Sequence, residues 1–125
     1  TTGIHPIGTK YAPKCIGPSS QAIKCQNMVF VGGQLGLDPY TGQLVEGGAT
    51  EQAHQALKNV KAILKDSGLV MANVVKTTIM LSDMEDYQEV NEVYSQYFDR
   101  VHPARSTMAV QGLPAGGKVE IEAIA

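Results

Sequence analysis

The residues of this chain best suited to chemistry are one arginine, two glutamates and a pair of glycines. Arg105 sits in the stretch His102 to Val110, HPARSTMAV, among small and apolar neighbours and with no acidic residue close by in sequence. A guanidinium cannot shed its proton and is costly to bury alone, so it must serve either an ion pair or a ligand. Strand alternation would put Arg105, Thr107 and Ala109 on one face and Ala104, Ser106 and Met108 on the other. In the terminal segment Glu120 and Glu122 share a face opposite Val119, Ile121 and Ala123. Were these two strands to pair around the Gly/Pro turn at 112–117, Arg105 and a glutamate would approach each other. Spacing alone favours a structural salt bridge. The competing reading is a carboxylate site, in which the guanidinium fork grips a ligand and a glutamate orients a water. Gly32 and Gly33 would add unobstructed backbone donors to such a site. They suit a bend or close packing equally well.

Other arrangements carry less. Ser19, Ser20, Ser106 and Thr107 could be nucleophiles, but no histidine stands in a recognisable relation to them. His5, His54 and His102 are scattered, and none has metal-ligand spacing with Cys, Asp or Glu, so no metal is expected. Tyr87, Tyr94, Tyr97 and Phe98 recur at helical spacing, which reads as core. Asn91 on the same segment reads as a solvated helix position or a polar pocket residue.

These side chains need a scaffold, and the periodicities outline one. After an irregular opening rich in Pro and Gly, strands are expected at Ser20 to Lys24 and from Met28 through Val31, which Gly32 and Gly33 follow. Asp38-Pro39-Tyr40-Thr41-Gly42 is a turn. From about Thr50 the period becomes helical: Ala53, Leu57, Val60 and Leu64 form a stripe, widened by Ala56 and Ile63. Gln52, Gln55, Lys58 and Lys65 fall outside it, and Gly68 supplies the stop. Val74 to Leu81 is β-branched and strand-like. Asp83 or Asp86 caps a second helix whose buried stripe is Tyr87, Val90, Tyr94, Tyr97 and Phe98. Two more strands follow, at 102–110 and 118–125. Strands alternating with two helices predict a sheet with both helices on one face. Because the 74–81 strand is apolar on both sides, the uncovered face is expected to pack against another chain.

The chain has 125 residues, 43% of them hydrophobic and 18% charged, which fits one globular domain spanning 1–125. A net charge of -2 and a pI near 5.8 disfavour a nucleic-acid surface. No apolar run approaches the ~20 residues of a membrane span, and no signal-peptide pattern opens the chain. Cys15 and Cys25 form no CxxC and read as reduced thiols, which points to the cytoplasm.

Several segments together resemble the Rid family (reactive intermediate deaminase, YjgF-type), from about Ala12 to Ala125. They are Ile16-Gly17-Pro18-x-Ser20-Gln21-Ala22, Gly33-Gln34, Asn59 to Leu64, Val74 to Thr78, Val90-Asn91-x-x-Tyr94, Pro103 to Ser106, and Val119 to Ala125. The resemblance implies a chorismate-mutase-like α+β fold, a mixed sheet with two helices on one face. It also implies a homotrimer built around a central barrel, with sites between subunits. The implied activity is hydrolysis of 2-imino or enamine acids, such as 2-aminoacrylate and 2-iminobutanoate, to 2-keto acids and ammonia without cofactor. Carried over, Arg105 would bind the substrate carboxylate with help from the Gly33 backbone, and Glu120 would position the attacking water. Asn91 would lie near the cleft. Two positions depart from the family pattern: Ser19 where tyrosine is usual, and Thr107 where cysteine is common. The first should enlarge or wet the pocket, while the second leaves any role of the backbone carbonyl intact. A non-catalytic binder of small carboxylates and an endoribonuclease or translation inhibitor acting on RNA are the alternatives. The acidic charge and lack of a histidine pair make the latter less attractive.

Overall fold

The computed structural model describes residues 3–125. Six strands form one mixed sheet: β1 (Ile4–Ile7), β2 (Ala22–Cys25), β3 (Met28–Leu35), β4 (Lys76–Leu81), β5 (Ala104–Ala109) and β6 (Val119–Ile124), in the order β1-β2-β3-β6-β4-β5. Two helices, α1 (Ala49–Asp66) and α2 (Tyr87–Tyr97), cover one face. The α+β architecture expected from the sequence is therefore present.

The core lies between that face and the helices. From α1 it receives Ala53, Ala56, Leu57, Val60, Ile63 and Leu64, all essentially inaccessible to water. The expected stripe is thus the buried one, and each fully buried Leu or Ile contributes about 1.5–3 kcal/mol. The sheet answers with Val29 and Val31 from β3, Ile79 and Leu81 from β4, and Val119, Ile121 and Ala123 from β6. Gln52, expected outside the stripe, is buried: its Oε1 accepts the Lys118 N–H at 2.8 Å. It can enter because a polar side chain is tolerated inside once a backbone donor meets it. Asn59 is likewise fully buried, donating to the Leu35 and Leu37 carbonyls at 3.1 and 3.0 Å and accepting from Gln55 at 2.8 Å. It clamps α1 over the end of β3. Close approach there also requires Gly36, where a Cβ would sit 2.6 Å from the Gln52 Cα.

Several expectations on boundaries need correction. β1 is a strand where an irregular start was expected; Pro6 removes one donor, which an edge strand tolerates. The strand expected at Ser20 to Lys24 is shifted to Ala22–Cys25. Asp83 caps a single 3-10 turn at Met84–Asp86 through the Glu85 N–H, while Asp86 takes the N-cap position of α2 without a side-chain cap bond, and α2 begins at Tyr87. The strand expected at Val74 to Leu81 starts only at Lys76, and ahead of it Val74 is buried and Val75 exposed.

The terminal strands do not pair with each other. β4 lies between them, parallel to β5 and antiparallel to β6. The sheet face away from the helices carries Phe30, Ile124, Met80 and Met108 together with Lys76, Thr78 and Glu122, and among the described residues no element covers it. It is less apolar than the sequence suggested. Among the described residues no helix is long and apolar enough to cross a membrane, and no cluster of metal-ligating side chains occurs.

Candidate functional site

Alternation along β6 sends Val119, Ile121 and Ala123 into the core and turns Glu120 and Glu122 to the open face. Glu120 lines a cleft of about 320 Å³ together with Lys14, Cys15, Ser19, Gly33 and Pro114. Its carboxylate lies directly over the β3 backbone: a Cβ at Gly33 would stand 2.7 Å from Oε2. Only glycine leaves that room. The register of β3 against β6 also shifts between Val31 and Gln34, which lifts Gly32 and Gly33 out of the regular ladder. Burial raises the Glu120 pKa above its ordinary value of 4.5, and the like charge of Glu122 raises it further. A carboxylate so placed holds its proton to higher pH than an exposed one.

Arg105 is held quite differently. It sits on β5, opposite Thr77, with its guanidinium folded onto α2. Nη1 donates to Asn91 Oδ1 at 2.5 Å, and Nη2 donates to the Tyr87 hydroxyl at 3.0 Å. The Tyr94 ring centroid lies 5.0 Å from Cζ and that of Tyr87 5.7 Å. The Tyr94 hydroxyl is fixed by a 2.7 Å hydrogen bond with buried Thr77. Every one of these partners is neutral, so the positive charge is oriented without being cancelled. Thr107, two residues on, has its Oγ1 out of contact with water and without a hydrogen-bond partner.

β5 is an edge strand. The Ala104 and Val110 N–H groups bond to Val75 and Leu81, on the β4 side. Alternate residues of a parallel strand face opposite edges, so the amides of Arg105 and Thr107 point outward from the sheet. The backbone of Thr107 is thereby available at an open edge.

The sequence-predicted residues fall into two groups. Ser19, Gly33 and Glu120 meet in the cleft, while Asn91 and Arg105 meet on the α2 side with Thr107 beside them. The two groups do not meet within one chain. Arg105 is level with Thr77, and Thr77 is level with Ala123, which points into the core; Glu120 points the other way. The approach of Arg105 to a glutamate, which the sequence allowed if β5 and β6 paired, is therefore absent. Sequence reading also missed Tyr87 and Tyr94 as partners of Arg105. Helical spacing alone made them core, and Tyr94 and Phe98 are indeed buried, but Tyr87 is 38% exposed. The signal that could have found it was the i, i+4, i+7 spacing of Tyr87, Asn91 and Tyr94, one helix face with a polar member. The histidines stay apart from both groups: His54 bonds Tyr97 across the helices, and His5 and His102 are exposed.

Residues 9–125 match the family model described as endoribonuclease L-PSP. The chain belongs to that family. It is 53% identical over 119 residues to a Mus musculus protein named 2-iminobutanoate/2-iminopropanoate deaminase, covering 95% of this chain and 88% of the relative. An Arabidopsis thaliana protein named Reactive Intermediate Deaminase A is 51% identical, over 95% of this chain and 64% of its own length. Among solved structures, Escherichia coli TdcF with bound serine superposes with a TM-score of 0.92 at 40% identity, covering 97% of each chain. The family resemblance drawn from the dispersed motifs is thus borne out, and the fold with it.

Proposed function

We propose that this member of the family is a hydrolytic deaminase of small 2-imino acids. The observation that carries the reading is an arginine cation held only by neutral groups, in a chain half identical to proteins named 2-iminobutanoate/2-iminopropanoate deaminase. Arg105 binds the substrate carboxylate through its free guanidinium donors. Glu120, opposite in the assembled site, orients a water toward the imine carbon and takes its proton as the C–O bond forms. The C=N π pair goes to nitrogen, which receives that proton to give the carbinolamine. The hydroxyl proton then passes by way of Glu120 to nitrogen as the C=O bond forms, and ammonia leaves with the C–N electron pair. Imine plus water gives keto acid plus ammonia. The imine carbon is already electrophilic, so orientation supplies most of what the reaction needs. An enamine such as 2-aminoacrylate enters after tautomerising to the imine.

Because Arg105 and Glu120 lie on opposite faces of one sheet, a site using both requires two copies of the chain. The open edge of β5 and the uncovered sheet face, with Phe30 and Met108 each 42% exposed, are the surfaces on which such copies would meet. A closed ring of three copies satisfies every such surface equally. The Thr107 backbone then stands at the boundary, and Gly33 and Ser19 line the Glu120 side. Ser19 leaves the cleft wider than a tyrosine would.

The deciding experiment follows ammonia or pyruvate release from freshly generated 2-aminoacrylate. Wild type should accelerate release above the buffer rate, and Arg105→Ala should abolish the acceleration while retaining the wild-type circular dichroism spectrum. Wild-type release at the buffer rate refutes the proposal. Keto-acid binding without turnover would then favour a carboxylate-binding role, and RNA cleavage that survives in no Glu120 variant would favour the ribonuclease reading.

A further inference from the structure

Arg105 has three neighbours on α2, and the most exposed of them, Tyr87, keeps a donor to spare. Asn91 accepts through its carbonyl oxygen, and Tyr94 offers only its ring, its hydroxyl being occupied with Thr77. Tyr87 accepts from Nη2 at 3.0 Å and makes no other hydrogen bond among the described residues. A phenol that accepts one bond keeps its own proton to donate. That proton lies beside a guanidinium with three of its five donors uncommitted, on a side chain 38% exposed.

We propose that Tyr87 is a substrate-binding residue: its hydroxyl accepts from Arg105 and donates to one oxygen of the substrate carboxylate. The carboxylate then spans guanidinium and phenol, with one oxygen on each. A planar anion with four lone-pair directions can accept from both, whereas the single carbonyl oxygen of a carboxamide cannot occupy both positions. The pair thus selects 2-imino acids over the corresponding amides. The inference rests on Arg105 being the carboxylate anchor.

Tyr87→Phe is the test, because it removes the hydroxyl and keeps the ring over Arg105. Steady-state hydrolysis of 2-iminobutanoate should show KM raised about tenfold with kcat nearly unchanged, the loss expected for one hydrogen bond to a charged group made equally in ground and transition states. Calorimetric titration with 2-ketobutyrate should show the same tenfold weakening, and titration with 2-ketobutyramide should show no difference between wild type and variant. Wild-type KM and Kd in Tyr87→Phe overturn the proposal, as does a fall in kcat at unchanged KM. If wild type hydrolyses imines and only Tyr87→Phe behaves as wild type, the anchor reading stands and this inference fails. If wild type neither binds the keto acid nor turns over, both fail.

Discussion

Mixing two inactive variants tests the division of the site between copies. In one chain Arg105 and Glu120 are separated by two strand spacings, β5 to β4 to β6, and by three residues along the strands, since Arg105 is level with Thr77 and Glu120 with Met80. Those offsets are about 10 Å each, placing the two Cα atoms about 14 Å apart, with side chains on opposite faces. A three-carbon imino acid is about 4 Å long, so no single chain can bracket it. Arg105→Ala and Glu120→Gln should therefore each be nearly inactive as pure proteins. Co-assembled at equal amounts, they should recover activity. If each site takes its arginine from one copy and its glutamate from the next, as proposed, random assembly in a closed ring leaves about one quarter of sites intact. The assay is ammonia release from 2-aminoacrylate after joint refolding or co-expression, with assembly size checked by gel filtration. A mixture no more active than the mean of the two pure variants refutes the shared site.

Two further outcomes follow from the Glu120 cleft. Gly33→Ala would place a Cβ 2.7 Å from Glu120 Oε2. The carboxylate can swing away, so thermal stability should change by less than about 1 kcal/mol, while kcat/KM falls at least about tenfold because the water is misplaced. Unchanged kcat/KM would remove Glu120 from that role. For Glu122→Gln the sign follows from the two causes that raise the Glu120 pKa, burial first and Glu122 second. In the proposed mechanism the ionised form takes the water's proton, so activity is lost as pH falls through that raised pKa. Removing the like charge lowers it, and the acid limb of the kcat/KM profile should move to lower pH. It should remain above the ordinary 4.5, because burial is untouched. A limb that moves to higher pH or stays fixed contradicts the assignment.

How much of this was legible beforehand varied with the range of the interaction. The α1 stripe was readable because helical periodicity is local, and Ala53, Leu57, Val60 and Leu64 are buried as that period requires. Gln52 was not, because what admits it to the interior is the Lys118 N–H, 66 residues away. The alternation of β6 correctly put Glu120 and Glu122 on one face. Whether that face was also the Arg105 face depended on which strands are neighbours, and β4 between β5 and β6 settled it. Composition and spacing do not encode strand order across a sheet. Family motifs identified Arg105, Asn91, Gly33 and Glu120 as residues of interest, but the two tyrosines that steady the guanidinium appeared only once α2 was laid beside β5.

The same strand order explains why Arg105 is not the salt bridge that its spacing alone favoured. Had β5 paired with β6 in the register that the sequence allowed, Arg105 and Glu120 would have neutralised each other, and an ion pair so satisfied has little attraction left for a ligand. The inserted β4 separates them onto opposite faces. Each is then held in its own environment: the cation by a neutral amide, a phenol and two rings, the carboxylate by burial beside a second carboxylate. Both environments leave charge uncompensated, which costs stability in the lone chain and makes each half reactive toward what the other half lacks. A substrate that presents a carboxylate to one half and an electrophilic carbon with its water to the other relieves both. On this reading assembly serves catalysis directly, because joining copies is what brings two unneutralised groups to a distance that a small imino acid, rather than the groups themselves, can bridge.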